Sequence, residues 1–229
     1  MSSRTALIAG ASGLVGRHCL DTLLASPAYE AVVACTRRPL PDAHPRLAVR
    51  VVSFERLDSE RPLAVTDAFC ALGTTIAAAG SRDAFTRVDL GYVAAFARYA
   101  RASGALRFVL VSSVGADPGA SNFYLRVKGQ AEQAVVSAGF VQVDILRPGL
   151  LLGERSELRR GEAMAQRLAP AAGLLLGGPL RKYRPVPAAI VGAAMVGTAL
   201  AEHSGVVVLH YDELVRMASS GSQTRVEDL

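Results

Sequence analysis

The sequence predicts an α/β fold: a parallel, doubly wound β-sheet with helices on both of its faces. Three observations predict it. Short and almost wholly apolar segments alternate along the 229 residues with longer segments of helical spacing, which is typical of repeated strand–helix–strand units. The apolar segments lack the alternation of a sheet with one solvated face, so both faces should be covered. Finally, 51% of the residues are hydrophobic and 20% are charged, which is enough apolar material for a sizeable core.

The predicted strands are the apolar segments bounded by glycine, proline or polar residues. They are Thr5–Ala9, Ala31–Thr36, the valine-rich part of Leu47–Phe54, Ala68–Leu72, Arg107–Val111, Val141–Leu146 and Gly205–Leu209. The predicted helices have apolar residues at helical spacing, and several end at glycine or proline. They are Leu14–Leu24, Arg82–Ser103, Asn122–Ala138, Ala188–Ala201 and Asp212–Ala218.

One segment breaks this alternation. Leu150 to Arg184 is rich in glycine, proline, arginine and leucine without a clear period, so we predict a small irregular lobe, residues 150–184, for substrate or partner. It should belong to a single domain of residues 1–229, because no linker or internal repeat divides the chain. Its basic side chains either bind an acidic group or form a solvated surface. They include Arg155, Arg159, Arg160 and Arg167. The polar tail, Ser219 to Leu229, should fray.

Composition and charge exclude several classes of protein. Cysteine is too sparse and widely spaced, at Cys19, Cys35 and Cys70, for a disulfide framework or a zinc site, and free thiols favour a reducing cytoplasm. The longest apolar run, Pro187 to Glu202, is shorter than the ~20 residues of a membrane-spanning helix, and no signal peptide is evident. The net charge of +5 comes in short basic groups, which favours a small phosphorylated ligand over nucleic acid.

A glycine-rich loop follows the first predicted strand and leads into the first helix. It reads Gly10-Ala11-Ser12-Gly13-Leu14-Val15-Gly16. Glycines at these points permit a tight turn and bring backbone N–H groups and the positive end of the helix close to a pyrophosphate. The position within a strand–helix–strand unit is the context that a dinucleotide-binding loop requires. The alternative is a tight turn that binds nothing.

The end of the second predicted strand bears on the choice of dinucleotide. An NAD site places a carboxylate about 20 residues after the glycine loop, where it binds the ribose 2′-hydroxyl. Counting from Gly16 leads instead to Thr36, Arg37 and Arg38. Two guanidinium groups suit a 2′-phosphate, so we predict NADP(H) as the cofactor. The alternative is a pair of solvated loop arginines.

Tyr124 and Lys128 are the second chemical signal. They lie on one face of a predicted helix, at positions i and i+4, and follow the serine pair Ser112 and Ser113 at the end of the fifth strand. An ammonium group lowers the pKa of a nearby phenol, which can then exchange a proton with a carbonyl or an alcohol near neutral pH. A serine at the strand end would hold the substrate oxygen, and the lysine would also bind the nicotinamide ribose. The alternative is an exposed tyrosine and lysine without a joint role.

The motifs resemble the short-chain dehydrogenase/reductase superfamily, and more narrowly its atypical branch with the HIV-Tat-interacting protein (TIP30) family and its bacterial relatives. The resemblance covers roughly residues 5–200. Besides the glycine loop and the segment of Tyr124, it rests on five further segments. They are Thr36-Arg37-Arg38, Cys70-Ala71-Leu72-Gly73-Thr74-Thr75, Phe85-Thr86-Arg87-Val88-Asp89, Ser112-Ser113-Val114-Gly115-Ala116-Asp117 and Arg147-Pro148-Gly149.

The resemblance implies a Rossmann-type fold that binds NADPH, and it implies roles for particular residues. Catalysis would fall to Ser113, with Ser112 as the neighbouring option, and to Tyr124 and Lys128. The implied coenzyme contacts are Gly10, Ser12, Gly13, Leu14, Val15 and Gly16 at the phosphates, Arg37 and Arg38 at the 2′-phosphate, Leu72, Gly73 and Thr74 at the middle, and Ser112, Tyr124, Lys128 and Pro148 around the nicotinamide.

Departures from the superfamily pattern leave two functions open. Asp89 stands where extended members often have asparagine, and the chain after Gly149 is too short for a large sugar-nucleotide pocket. The first hypothesis is a cytoplasmic NADPH-dependent oxidoreductase, monomer or homodimer, that acts on a small carbonyl or alcohol substrate. The second is a non-catalytic NADP(H)-binding regulatory or scaffold protein that contacts a protein partner. Neither hypothesis involves a metal, a membrane or a nucleic acid.

Overall fold

The structure, a computed structural model, describes residues 3–41, 43–153 and 176–222. Most of the predicted lobe at 150–184 lies outside these ranges, as does the end of the predicted tail, residues 223–229. The arginines assigned to the lobe also lie outside them; these are Arg155, Arg159, Arg160 and Arg167. The single domain of residues 1–229 stays a prediction.

A sheet of seven parallel strands forms the centre of the described structure. Its first six strands are β1 (Arg4–Ala9), β2 (Tyr29–Thr36), β3 (Leu47–Val51), β4 (Asp67–Cys70), β5 (Arg107–Val111) and β6 (Gln142–Leu146). A separate parallel pair, β7 (Leu151–Leu152) and β8 (Val186–Pro187), was not predicted, and β9 (Gly205–Leu209) completes the large sheet. The strand order is β3-β2-β1-β4-β5-β6-β9, which confirms the predicted parallel α/β class.

Helices connect the strands. They are α1 (Leu14–Ala25), α2 (Ile76–Ala79), α3 (Arg82–Thr86), α4 (Val93–Ala102), α5 (Phe123–Val136), α6 (Ala188–Leu200) and α7 (Tyr211–Ser222). The third strand, Leu47–Val51, lies within the predicted segment Leu47–Phe54, and a short 3₁₀ turn, Phe54–Ser59, follows it. One predicted end is wrong: the last helix continues to Ser222, where a frayed tail was predicted from Ser219.

The long helix predicted at Arg82–Ser103 is not regular. Between α3 and α4 the chain forms a π-helical turn, Arg87–Tyr92. Such turns insert extra backbone into a helix and rotate the side chains that follow, and they are frequent at functional sites. Periodicity could not show it, because the residues on both sides keep helical spacing. The turn contains Asp89, whose side chain is fully buried.

Two apolar cores cover the two faces of the sheet. On one face α1, α6 and α7 pack on the strands, with Leu20, Val191 and Met195 fully or almost fully buried. Gly192 permits this close packing, because a Cβ there would lie 2.6 Å from the Cβ of His18 on α1. On the other face α4 and α5 pack on the sheet around residues such as Phe96. Helices on both faces explain why the strands are apolar on both sides.

The strand order locates the site. The chain runs outward from β1 to β2 and β3 on one side, and from β4 to β5 and β6 on the other. The register aligns the last residue of β1, Ala9, with Cys35 on β2 and with Cys70 on β4. The connections after β1 and β4 therefore leave the sheet in opposite directions and open a crevice at its carboxyl edge, which is where open α/β sheets bind ligands.

Within residues 3–41, 43–153 and 176–222, none of the helices is both long and apolar enough to cross a bilayer. The same residues hold no group of three or more histidine, cysteine or acidic side chains arranged to ligate a metal ion.

Candidate functional site

The glycine loop lies between β1 and α1 at the start of the crevice. Gly10 has φ +86°, and a Cβ there would lie 2.5 Å from the carbonyl oxygen of Ala71. At Gly16 a Cβ would lie 2.0 Å from the carbonyl oxygen of Gly10. The turn is closed by the N–H of Gly13, which donates to Gly10 O at 2.9 Å. Only glycine permits this packing of loop, helix and neighbouring strand, so the sequence pattern has a steric cause.

The first turn of α1 is suited to an anion. It begins after Gly13, without a side-chain cap and without an acidic residue. Its backbone N–H groups and the positive end of the helix dipole are therefore available to a ligand. The first turn thus meets the requirements of a pyrophosphate site.

A cavity of about 810 Å³ extends from this loop across the ends of β4 and β5. It brings together ten of the residues predicted from sequence. They are Ser12, Gly13, Leu14, Val15, Leu72, Gly73, Thr74, Ser112, Tyr124 and Lys128. Its other lining residues include Arg17, His18 and Leu151, which the sequence reasoning did not assign to a ligand. The glycine loop and the tyrosine–lysine pair, far apart in sequence, thus line one space.

A second cavity, of about 450 Å³, shares Ser12, Gly13 and Leu72 to Thr74 with the first. It continues the crevice toward the end of β2, where Arg37 lines it. Arg38 is exposed and is not among the residues that line these two cavities. The structure therefore separates the two arginines that the sequence had paired.

Arg87 and Tyr92 line the second cavity together with Arg37, and sequence reasoning gave neither a ligand role. The ring of Tyr92 stacks on Phe54, with 5.5 Å between centroids. Its hydroxyl donates a hydrogen bond to Glu55, and this bond raises the pKa of Tyr92 and lowers the pKa of Glu55. No local pattern could identify these residues, because the π-helical turn, not a neighbouring strand, carries them to the cavity.

Lys128 is held at the middle of the crevice by Asp89. Its Nζ lies 2.8 Å from Asp89 Oδ1, and the two side chains are 9% and 0% exposed. The other carboxylate oxygen, Oδ2, accepts the backbone N–H of Thr74 at 2.8 Å. A Cβ at Gly73 would lie 3.3 Å from Asp89 Oδ1 and 3.4 Å from Lys128 Nζ, so glycine leaves room for the ion pair. Asp89, noted in the sequence only as a departure, belongs to the site.

The pKa of Lys128 reflects opposing effects. Burial lowers the pKa, but the carboxylate of Asp89 and the phenol of Tyr124 raise it by more, so the pKa lies above that of an ordinary lysine. Lys128 is therefore an ammonium at neutral pH despite its burial.

Tyr124 is positioned by the first turn of α5. Asn122 caps this helix through its side-chain oxygen, which accepts the N–H of Leu125 at 3.1 Å. The ring of Tyr124 packs against Phe85 on α3, with 5.6 Å between centroids. One turn further along the same helix is Lys128, so the two predicted catalytic side chains share one face.

The two serines at the end of β5 differ. Ser112 is buried, lines the large cavity, and donates its hydroxyl hydrogen to Glu132 Oε1 at 2.5 Å. Arg147 binds both carboxylate oxygens of Glu132, at 2.9 and 2.5 Å. Ser113 is half-buried, donates weakly to Val114 O at 3.4 Å, and is not among the lining residues of the cavity. The structure thus places Ser112, the second choice from sequence, nearer to the tyrosine–lysine pair.

Pro148, predicted beside the nicotinamide, is not among the residues that line the two cavities. It is buried, and its carbonyl accepts the N–H of Val114 at 3.0 Å. Leu151 on β7 is the residue of this segment that lines the large cavity.

Comparisons with known proteins agree with this geometry. A family model described as NAD(P)H-binding matches residues 10–170. Protein HTATIP2 of Rattus norvegicus is 39% identical over 172 residues, 73% of this chain and 71% of that protein. Protein FMP52, mitochondrial, of Candida albicans (strain SC5314) is 33% identical over 228 residues, 93% of this chain and 97% of that protein.

Solved structures share the fold. MoeE5 in complex with UDP-glucose and NAD matches with a TM-score of 0.66 at 19% identity, over 96% of this chain and 82% of that one. The human epimerase family protein SDR39U1 with NADPH matches with a TM-score of 0.63 at 17% identity, over 90% and 74% of the two chains. At such identities the likeness shows the fold alone.

One expectation is contradicted by these relatives. The sequence was interpreted as cytoplasmic, but several fungal relatives are named as mitochondrial proteins. The interpretation relied on free cysteines, and the three thiols are indeed free and buried. Buried free thiols show that the fold needs no disulfide, but they do not distinguish one compartment from another, so the inference was wrong. The NAD(P)-binding family that the motifs indicated is confirmed. The chain belongs to the NAD(P)H-binding family and, within it, to the group of the HTATIP2 and FMP52 proteins.

Proposed function

We propose that the protein is an NADPH-dependent oxidoreductase of the short-chain dehydrogenase/reductase type, acting on a small carbonyl or alcohol substrate. One observation carries the proposal: the anion-binding loop at Ser12 and Gly13 and the Tyr124–Lys128 pair line the same cavity of about 810 Å³. A dinucleotide bound along the crevice would therefore have its phosphates at the loop and its reactive end beside a phenol. A fold of this class alone would not justify the proposal, because such folds serve many functions.

The residues present fit a nicotinamide dinucleotide. The cradle at Gly10 and Gly16 is free of side chains, and the first turn of α1 offers N–H donors to a diphosphate. Gly73 and Thr74 border both cavities and so face the middle of such a ligand. The ammonium of Lys128 lies in the first cavity, where it would donate to ribose hydroxyls.

The chemistry of the site follows from its acid–base groups. When bound, the reduced nicotinamide would supply hydride to the carbonyl carbon of the substrate. Tyr124 would donate its phenolic proton to the carbonyl oxygen, which completes the alcohol. The positive charge of Lys128 one helical turn away stabilises the phenolate that remains. The cavity must hold both the nicotinamide end and the substrate, which limits the substrate to a small molecule.

The positions of Arg37 and Arg87 both support NADPH as the cofactor. Both line the cavity at the end of β2, and neither is in an ion pair among the described residues. A 2′-phosphate at this place would lie between two guanidinium groups. Arg38 lines neither cavity, so it is expected to contribute less than the sequence suggested.

The cofactor proposal is tested by removing one arginine at a time. Arg37→Ala is expected to weaken NADPH binding by about tenfold to a hundredfold, since a charge-assisted hydrogen bond contributes ~1.5–3 kcal/mol. NADH binding should change little, because NADH has no 2′-phosphate. Arg38→Ala is the matched control and should bind NADPH nearly as wild type does. Calorimetric titrations with both coenzymes measure this; an equal loss in the two variants would contradict the assignment of Arg37.

A second function remains supported by one observation. The hydroxyl of Ser112 donates to Glu132, while Ser113 lies outside the cavity lining. In this arrangement neither serine at the end of β5 donates to a substrate oxygen. A non-catalytic NADP(H)-binding regulatory or scaffold protein needs no such donor.

Turnover separates the two functions. We expect the purified protein to oxidise NADPH with at least one member of a panel of small aldehydes, ketones and quinones, measured by the loss of reduced nicotinamide absorbance. Calorimetry on the same sample measures coenzyme binding. Tight NADPH binding without oxidation across the panel would favour the regulatory function, and no binding of either pyridine coenzyme would contradict both.

A further inference from the structure

The chain uses lysine at only two positions. Of its 25 basic Lys and Arg residues, just Lys128 and Lys182 are lysines. Lys182 lies on the surface beside the ring of Tyr183, with Nζ 5.2 Å from the centroid, whereas Lys128 is buried in the crevice. The Nζ of Lys128 lies 2.8 Å from Asp89 Oδ1, and the ammonium of lysine is a compact charge where arginine has a wide planar group.

Asp89 reaches this ammonium through an irregular piece of backbone. It is the third residue of the π-helical turn Arg87–Tyr92, and its side chain is fully buried against Lys128. Its Oδ2 is occupied by the N–H of Thr74, and its Oδ1 makes no hydrogen bond within the described residues. The contact between Oδ1 and Lys128 Nζ at 2.8 Å is the ion pair that compensates the buried carboxylate.

We propose that Asp89 is the positioning residue of the site: its carboxylate, anchored by the N–H of Thr74, holds the ammonium of Lys128 beside Gly73 and Tyr124. The proposal deepens the proposed function, because Lys128 would act there on the nicotinamide ribose and on Tyr124. The effect of Asp89 on Lys128 can be tested without coenzyme or substrate. Asp89 itself touches neither and so is not a catalytic residue.

The groups around Lys128 support this role. Burial is the strongest effect, and it lowers the pKa of Lys128; Asp89 is the strongest opposing one. Tyr124 on the same helix and Cys70 on β4 also face the ammonium. Burial raises the pKa of Cys70 to about 12, so this thiol is neutral at physiological pH and contributes no charge. Asp89 is the carboxylate among these neighbours, and it is the one that lies 2.8 Å from Nζ.

The test measures the charge of Lys128 in the free protein. With ¹³C-labelled lysine, only two side-chain signals are present, and the Lys182→Arg variant identifies the one that belongs to Lys128. In wild type, Lys128 is expected to remain an ammonium above the ordinary lysine value of about 10.4. In Asp89→Asn, which keeps an oxygen for Thr74 but no charge, the midpoint should fall by about one to three pH units. Asp89→Glu, which restores the charge, should return it toward the wild-type value.

A second readout concerns NADPH binding. Asp89→Asn should bind NADPH nearly as wild type does near neutral pH, where Lys128 is still protonated, and lose affinity at higher pH as Lys128 discharges. Wild type should keep its affinity over the same range. A purely structural role for Asp89 would lower the melting temperature of the variant without moving the lysine titration.

Two results would overturn the proposal. One is a wild-type Lys128 that titrates below the ordinary lysine value, a measurement that needs no substitution at Asp89. The other is an unchanged midpoint in Asp89→Asn. Because the titration uses coenzyme-free protein, either result concerns Asp89 alone. Absence of NADPH turnover or binding in wild type, with the titration as expected, would instead contradict the proposed function.

Discussion

Gly10→Ala is expected to weaken coenzyme binding strongly and to destabilise the fold. Alanine at φ +86° is strained by ~1–2 kcal/mol, and its Cβ would lie 2.5 Å from the carbonyl oxygen of Ala71. Since Ala71 belongs to the backbone after β4, the clash can be relieved only by moving the loop from the sheet, at a further cost of ~1–3 kcal/mol. Together these lower the melting temperature by about 5–15 °C for a domain of this size.

The loss of binding has a separate cause. Moving the loop turns the N–H groups of the α1 first turn away from the diphosphate, and each charge-assisted hydrogen bond contributes ~1.5–3 kcal/mol. Two such bonds correspond to a loss in NADPH affinity of about a hundredfold or more. Calorimetric titration at a temperature well below the melting transition measures this loss independently of stability.

Gly139→Ala is the matched control for this substitution. Gly139 has φ +80°, so the backbone strain is similar, but nothing lies within 4 Å of a Cβ there, and it lies after α5, outside the two cavities. The control should lose some stability and bind NADPH as wild type does. If both variants bind NADPH normally, the close approach of Gly10 to Ala71 does not shape the coenzyme site.

Tyr124→Phe is expected to reduce NADPH-dependent turnover by about 10²–10⁴-fold. The substitution removes only the phenolic oxygen, so the site loses its proton donor. The ring contact with Phe85, at 5.6 Å between centroids, is preserved and the fold should be unaffected. Coenzyme affinity should stay close to the wild-type value, because Lys128 and the glycine loop are unchanged. Steady-state rates with the best substrate of the panel, together with calorimetry, measure both effects.

The control for this prediction is a tyrosine outside the crevice. Tyr183 is exposed, lies beside Lys182, and lines neither cavity. Tyr183→Phe should therefore turn over NADPH at the wild-type rate. Wild-type turnover by Tyr124→Phe would mean that the phenol is not the acid, and a water or another side chain would have to take its place.

The parts of the candidate site whose placement followed from sequence are those that depend on local structure. Gly10, Gly13 and Gly16 lie within one strand–turn–helix unit, and their spacing reflects clashes that occur inside that unit. Tyr124 and Lys128 share a helix face because they are four positions apart on α5. Strand and helix positions followed from apolar patterning in the same way, because a strand that is buried on both faces of a sheet is apolar at successive positions.

The serine assignment could not be made from local sequence. Ser112 and Ser113 are adjacent, and nothing in the local sequence distinguishes them. Residues of other elements distinguish them. Glu132 on α5 accepts the hydroxyl hydrogen of Ser112, and Arg147 after β6 binds the carboxylate of Glu132. The same holds for Arg38, which resembles Arg37 in sequence but lies outside the cavity that Arg37 lines.

Strand order and the π-helical turn account for the site residues that the sequence did not identify. Arg87 and Tyr92 line the second cavity, and Asp89 contacts Lys128, from a π-helical turn that interrupts the helix between β4 and β5. Strand order arises from contacts between segments far apart in the chain, and hydrophobic periodicity shows neither this order nor the turn. The sequence pattern therefore identifies a dinucleotide loop, a phenol and an ammonium. The packed sheet brings Asp89 to that ammonium, because only in the folded structure are the two side chains buried against each other.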